Sequence, residues 1–159
     1  MRTIYGCEFS PDPTGAMIPP LSEILDNFEF LDEWDDRYRY VIELGRTLPD
    51  FPEAERTDAN KVRGCVSQVW LSKTATQDPD GTTRLSYDGD SDAHIVKGLV
   101  AIVLSAYNGK SAAEIVDTDI DGVFGRIGLK EHLTPQRANG LKSMVEQIRH
   151  DARAVLAEA

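Results

Sequence analysis

The chain carries two thiols, Cys7 and Cys65, and the chemistry it can do turns on the second. Cys65 stands in the stretch Val62-Arg63-Gly64-Cys65-Val66-Ser67-Gln68-Val69-Trp70. Gly64 before it is what a bend needs if a side chain is to be presented rather than packed. Lys61 and Arg63 are cations close in sequence, and a cation close in space favours the thiolate, the form in which sulfur is nucleophilic. A free cysteine is also a common apolar filler, and these neighbours alone leave both readings open. Other thiol chemistries lack their partners. No CxxC pair is present for a dithiol reductase. A cysteine hydrolase wants a histidine with an orienting Asn or Asp, and only His132 is a candidate, in surroundings that suggest no triad. His94, His132 and His150 are scattered, so with two cysteines no zinc or iron–sulfur ligand set forms; the metal expectation is none. A disulfide to Cys7 is poorly supported, because Cys7 lies in a proline-rich tail.

The elements that would position Cys65 follow from periodicity and punctuation. Residues 1–20, with Pro11, Pro13, Pro19 and Pro20, read as a flexible tail, and 21–159 as a single domain. A short helix is expected over Ser22 to Phe28. A second has Asp32 as its cap and acidic residues Glu33, Asp35 and Asp36 in its first turn. The stripe of this helix is Trp34, Tyr38, Val41, Ile42, Gly45 and Leu48, and Pro49 stops it. Phe51 to Asn60 reads as loop. The turn Asp78-Pro79-Asp80-Gly81 predicts a hairpin over roughly Ser67 to Tyr87. Lys61 to Arg63 is a candidate third strand, with Gly64 and Cys65 at the bend between strands. Thereafter the chain reads as helix. Ser91 or Asp90 caps a segment through Tyr107 whose apolar residues surround most of its circumference, so it is the expected buried centre. Asn108-Gly109 ends it, Ser111-Ala112-Ala113-Glu114 is a capping box, and Thr134-Pro135 opens the last helix, with the stripe Leu141, Met144, Val145, Ile148, Ala152, Val155 and Leu156. Helices, a small antiparallel sheet and more helices make an α+β fold.

Composition excludes whole classes of partner. With 17 basic against 27 acidic residues the formal net charge is −10, which disfavours nucleic acid and anionic membrane surfaces. No apolar run reaches the length of a membrane span, and the first residues do not resemble a signal peptide. The expectation is a cytoplasmic protein.

Four blocks then resemble one family. Gly64-Cys65-Val66-Ser67-Gln68-Val69-Trp70 resembles the GCxSQVW signature of the SufE family of sulfur acceptors. Gly89-Asp90-Ser91-Asp92-Ala93 followed by Ile95-Val96-Lys97-Gly98-Leu99 is similar to the family's GDSDAxIVKGL block. His132-Leu133-Thr134-Pro135-Gln136-Arg137 with Gly140 resembles its HLTPxRxxG block, and Tyr40-Val41-Ile42-Glu43-Leu44-Gly45 with Leu48-Pro49 its first helix. The blocks occur in order over roughly residues 22–155. The resemblance implies a SufE/IscU-like fold, without the cysteines with which the scaffold IscU holds its cluster. It implies a sulfurtransferase-like role in which Cys65 accepts sulfane sulfur from a SufS-type cysteine desulfurase, stimulates that enzyme, and passes sulfur to an iron–sulfur scaffold. Cofactors expected on this chain are none; pyridoxal phosphate belongs to the partner. Gly64, Gln68 and Arg137 are expected to support the Cys65 segment, and Asp92 to serve partner recognition; the plainer role for Asp92 is an acid in the first turn of its helix. Trp70 is expected in the core, and His94 has no assigned role. A homodimer is left open. The competing reading is a non-catalytic regulator of a desulfurase with an inert, buried Cys65.

Overall fold

The computed structural model describes residues 18–62, 68–128 and 133–158. Cys7 and most of the proposed tail, Arg63, Gly64, Cys65 and His132 lie outside the described residues. The described elements are helices α1 (Leu21–Glu29), α2 (Trp34–Gly45), α3 (His94–Tyr107), α4 (Ala112–Asp117), α5 (Ile120–Ile127) and α6 (Pro135–Glu158) and a three-stranded antiparallel sheet of β1 (Val69–Gln77), β2 (Thr83–Ser91) and β3 (Lys110–Ser111). The fold is α+β, as the order of elements predicts.

Helix α3 is the centre. From Ile95 to Leu104 every residue but Lys97 is buried, and Ala106 and Tyr107 complete the set. Each aliphatic side chain so enclosed contributes on the order of 1.5–3 kcal/mol relative to exposure. Helix α2 lies against α3 at a crossing that only glycine allows. A Cβ at Gly98 would overlap the carbonyl oxygen and side chain of Val41, and one at Gly45 would sit 2.8 Å from the Gly98 nitrogen. Similarly, a Cβ at Gly89 would meet Val100 Cγ1 at 2.6 Å, so β2 rests directly on α3. Three glycines of the sequence blocks are therefore spacing devices of the core. Arg37 joins α1, α2 and α5 by donating to the carbonyls of Leu31 (2.6 Å), Ile127 (2.7 Å) and Phe28 (3.4 Å).

The hairpin is longer than its sequence signal, and its register pairs Val69 with Ser91 and Gln77 with Thr83. Asp90 and Ser91 are consequently strand residues. They do not cap α3: the residue at that position is Ala93, without a side-chain cap, although the Ser91 hydroxyl accepts the Ala93 N–H at 3.2 Å. Asp32 likewise is not the cap of α2; Glu33 holds that position, in extended backbone and with no side-chain cap. The third strand is also not the expected one. Asn108, at the end of α3, bonds both the N–H and the carbonyl of Tyr87 (2.7 and 3.0 Å), and this docks Lys110–Ser111 on the β2 edge. Lys61 makes only an isolated bridge to Trp70 on the opposite edge. Phe51 to Asn60 contains one 3-10 turn, Glu53–Glu55.

The capping box at Ser111 and Glu114 forms as its spacing predicts. Thr134 caps α6 by accepting the Arg137 N–H at 3.3 Å. Along α6, Leu141, Met144, Val145, Ile148 and Ala152 are buried, Val155 is half-buried and Leu156 exposed, so the stripe fades at its C-terminal end. Periodicity does not delimit helix α5. Gly122 and Gly125 dilute its helical signal, although Asp119 caps it through the Gly122 N–H at 3.0 Å and Gly128, at φ 78°, closes it. No helix among the described residues is long and apolar enough to cross a membrane.

Candidate functional site: the frame around the Cys65 segment

Gly64 and Cys65 lie outside the described residues, and the site is built from the residues on either side of them. On the incoming side, the chain is tied to β1 by two backbone hydrogen bonds. The Leu71 N–H donates to the Asn60 carbonyl at 2.9 Å and the Val62 N–H to the Val69 carbonyl at 2.8 Å, and these two bonds make the antiparallel bridge of Lys61 with Trp70. Glu55 reinforces them: its carboxylate accepts the Ser72 hydroxyl at 2.6 Å and its carbonyl the Asn60 amide at 2.9 Å.

On the outgoing side stands Gln68. Its backbone N–H donates to Asp92 Oδ1 at 3.1 Å, its side-chain amide donates to Oδ2 at 3.3 Å, and its carbonyl accepts the Asp92 N–H at 3.3 Å. Asp92 thus holds both the main chain and the side chain of the residue three positions beyond Cys65. This overturns the plainer expectation for Asp92, because helix α3 begins only at His94 and the carboxylate faces the hairpin partner instead.

Two residues deeper into the hairpin, Trp70 is paired with Asp90. Alternation places Gln68, Trp70, Asp90 and Asp92 on one face of the hairpin. Asp90 is the single buried charged residue among those described. Its Oδ2 accepts from Arg56 Nη2 at 2.6 Å and Nε at 3.1 Å, and Lys97 Nζ stands 3.6 Å from Oδ1. The Arg56 guanidinium also pairs with Glu53 and lies 5.9 Å from the ring centroids of both Phe51 and Trp70, within reach of a cation–π attraction. Hydrogen bonding to Asp90 first, and to Glu53 second, holds Arg56 still more firmly protonated than a free arginine. Trp70 is therefore only half-buried, a shelf for Arg56 rather than a core residue.

Of the expected site residues, Gln68 and Asp92 come together. Arg137 sits on the first turn of α6, half-buried, and makes no ion pair among the described residues. Arg56, Asp90 and Lys97 are not singled out by sequence reasoning. Asp90 reads as a helix cap there, and only the hairpin register shows that it shares a face with Asp92. No group of three His, Cys, Asp or Glu side chains among the described residues is arranged to hold a metal ion.

Comparisons with known proteins agree with the sequence blocks. The family model "SufE: Fe-S metabolism associated domain" matches residues 22–152. An uncharacterized SufE-like protein of Rhizobium meliloti is 57% identical over 86% of this chain and 96% of its own length. Another from Rhizobium etli is 56% identical over 84% of this chain and 89% of its own. The solution structure of a hypothetical protein from Thermus thermophilus shares the fold, with a TM-score of 0.63 and 21% identity over 89% of this chain and 98% of that one. The chain belongs to the SufE family.

Proposed function

We propose that this protein is a sulfur carrier working with a cysteine desulfurase, and that Cys65 is the acceptor. The Cys65 thiolate attacks the terminal sulfur of the desulfurase's cysteine persulfide. The partner's S–S bond breaks, its cysteine leaves as a thiolate, and a new S–S bond forms on Cys65. Sulfur moves without net oxidation, and the rate follows the thiolate fraction and access along the attack line. Sulfur then leaves Cys65 by the same exchange for an iron–sulfur scaffold. Acceptance of the product would draw the desulfurase forward, which is how stimulation is expected to arise. Pyridoxal phosphate is assigned to the partner, and the setting to the cytoplasm.

The observation that carries this reading is the frame around residues 63–67. Backbone bonds at Asn60 and Val62 precede the segment, and the Gln68–Asp92 pair follows it. A segment anchored on both sides suits a thiol that must meet another protein's sulfur in one geometry. Family membership over residues 22–152 supports it, since that span includes Cys65.

The test is incubation with a matched desulfurase and labelled cysteine, followed by mass analysis of the Cys65 peptide. A gain of one sulfur on Cys65, absent in Cys65→Ser and retained in Cys7→Ser within about twofold, is expected. No gain, with desulfurase stimulation unchanged in Cys65→Ser, would overturn the carrier reading in favour of a non-catalytic regulator.

A further inference from the structure

The two carboxylates of β2 and its C-terminal extension divide the work of the frame. Asp92 holds Gln68 on the outgoing side. Asp90, on the same face, holds Arg56, and Arg56 belongs to the stretch between Phe51 and Val62 that leads into residues 63–67. The Glu55–Ser72 bond and the backbone bonds at Asn60 and Val62 tie this stretch to β1, and the Arg56–Asp90 pair adds the tie to the buried end of β2. The stretch contains one 3-10 turn, Pro52 to Ala54 and Arg56 to Ala59 are exposed, and its apolar anchors are Phe51 and Val62 at its two ends.

A buried carboxylate at position 90 is costly in water lost, and an apolar pair of equal volume would often serve packing as well or better. The ionic pair instead imposes direction. Both nitrogens engage one oxygen of Asp90, Lys97 stands by the other, and Phe51 and Trp70 border the guanidinium. Other arrangements of residues 51–62 would leave Asp90 without its fork, so they are penalised relative to this one.

We propose that Arg56 is a positioning residue for Cys65: its pair with Asp90 fixes the incoming side of the Cys65 segment, as the Asp92–Gln68 pair fixes the outgoing side. The proposal rests on Cys65 being the reactive thiol and does not depend on where its sulfur goes. Two measurements test it on the full chain in a Cys7→Ser background, where one thiol gives the signal. The first is the second-order rate of Cys65 alkylation by iodoacetamide from about pH 6 to about pH 9, which reports thiolate fraction and access. The second is hydrogen exchange of the Val62 and Leu71 amides, the links of the incoming side.

In Arg56→Gln both are expected to rise by about fivefold or more, the scale on which residues in one network couple. Arg56→Lys, which returns a cation to Asp90 without the fork, should fall between the two. Arg84→Gln, which cuts the Arg84–Asp78 pair at the far end of the hairpin, should leave both unchanged. If Arg56→Gln does not fold, Arg56→Lys carries the comparison, with an expected rise of about twofold. Alkylation and exchange that match the parent in the folded arginine variants overturn the proposal, whatever happens to the melting temperature. Failure of the carrier reading is seen separately, as absence of sulfur uptake by the unmutated protein.

Discussion

Asp92 holds Gln68 by three hydrogen bonds, two accepted by its carboxylate and one donated by its N–H, across 24 residues of sequence. All three occur where both residues are exposed to solvent. Their worth therefore lies in the position they impose more than in stability, since water replaces an exposed partner at little cost.

The first expected outcome concerns that pair. Asp92→Ala should lower global stability by about 1 kcal/mol or less, measured by urea unfolding. The Gln68 amide should nevertheless lose its protection from hydrogen exchange, and Cys65 alkylation should accelerate. Unchanged exchange at Gln68 would show that the carboxylate is not its partner in solution.

The helix crossing gives a sharper contrast. Gly98→Ala should destabilise the protein by about 3 kcal/mol or more or abolish folding, because the added methyl meets the backbone of Val41, which cannot rotate aside. Gly125→Ala in α5 has nothing within 4 Å of the new Cβ, and the gain in helix propensity should stabilise it by about 0.5–1 kcal/mol. Thermal melts of the two variants decide the point.

Alkaline pH should expose the Tyr87–Asp151 contact. The Tyr87 phenol is buried and donates to Asp151 Oδ2 at 2.7 Å; burial first, and that carboxylate second, push its pKa well above the ordinary value of 10.0. A group whose folded pKa is raised contributes fully below the unfolded value. That contribution is lost as pH climbs above about 10, where the unfolded chain gives up the proton first. Tyr87→Phe should cost about 1 kcal/mol at neutral pH through the lost bond. Its stability should also fall less steeply above about pH 10. Burial raises the phenols of Tyr40 and Tyr107 in the same direction, so the alkaline loss should be reduced and not abolished. Urea midpoints from neutral to alkaline pH check the slope.

Much of the architecture is legible in the sequence because its causes are local. The apolar circumference of α3, the capping box at Ser111, the Thr134 cap of α6 and the turn at Asp78 each declare themselves within a few residues. Sequence and structure part where a local signal has two uses. Asp90 and Ser91 are good helix caps by type, yet long pairing with β1 draws them into a strand. Lys61 of the expected third strand makes only a bridge at the β1 edge, while Asn108 brings Lys110–Ser111 to the opposite, β2 edge by copying the bonds of a strand residue.

At the site, the thiol, the glycine before it and the blocks that mark the family are all properties of the linear chain. Gln68 and Asp92 can be named from it, but not the fact that they touch. Their pairing, and that of Arg56 with Asp90 across 34 residues, exist only in the folded molecule. The physical reason is register. Alternation within a strand assigns each side chain to one of two faces, but only the pairing of β1 with β2 determines which carboxylate stands opposite which neighbour.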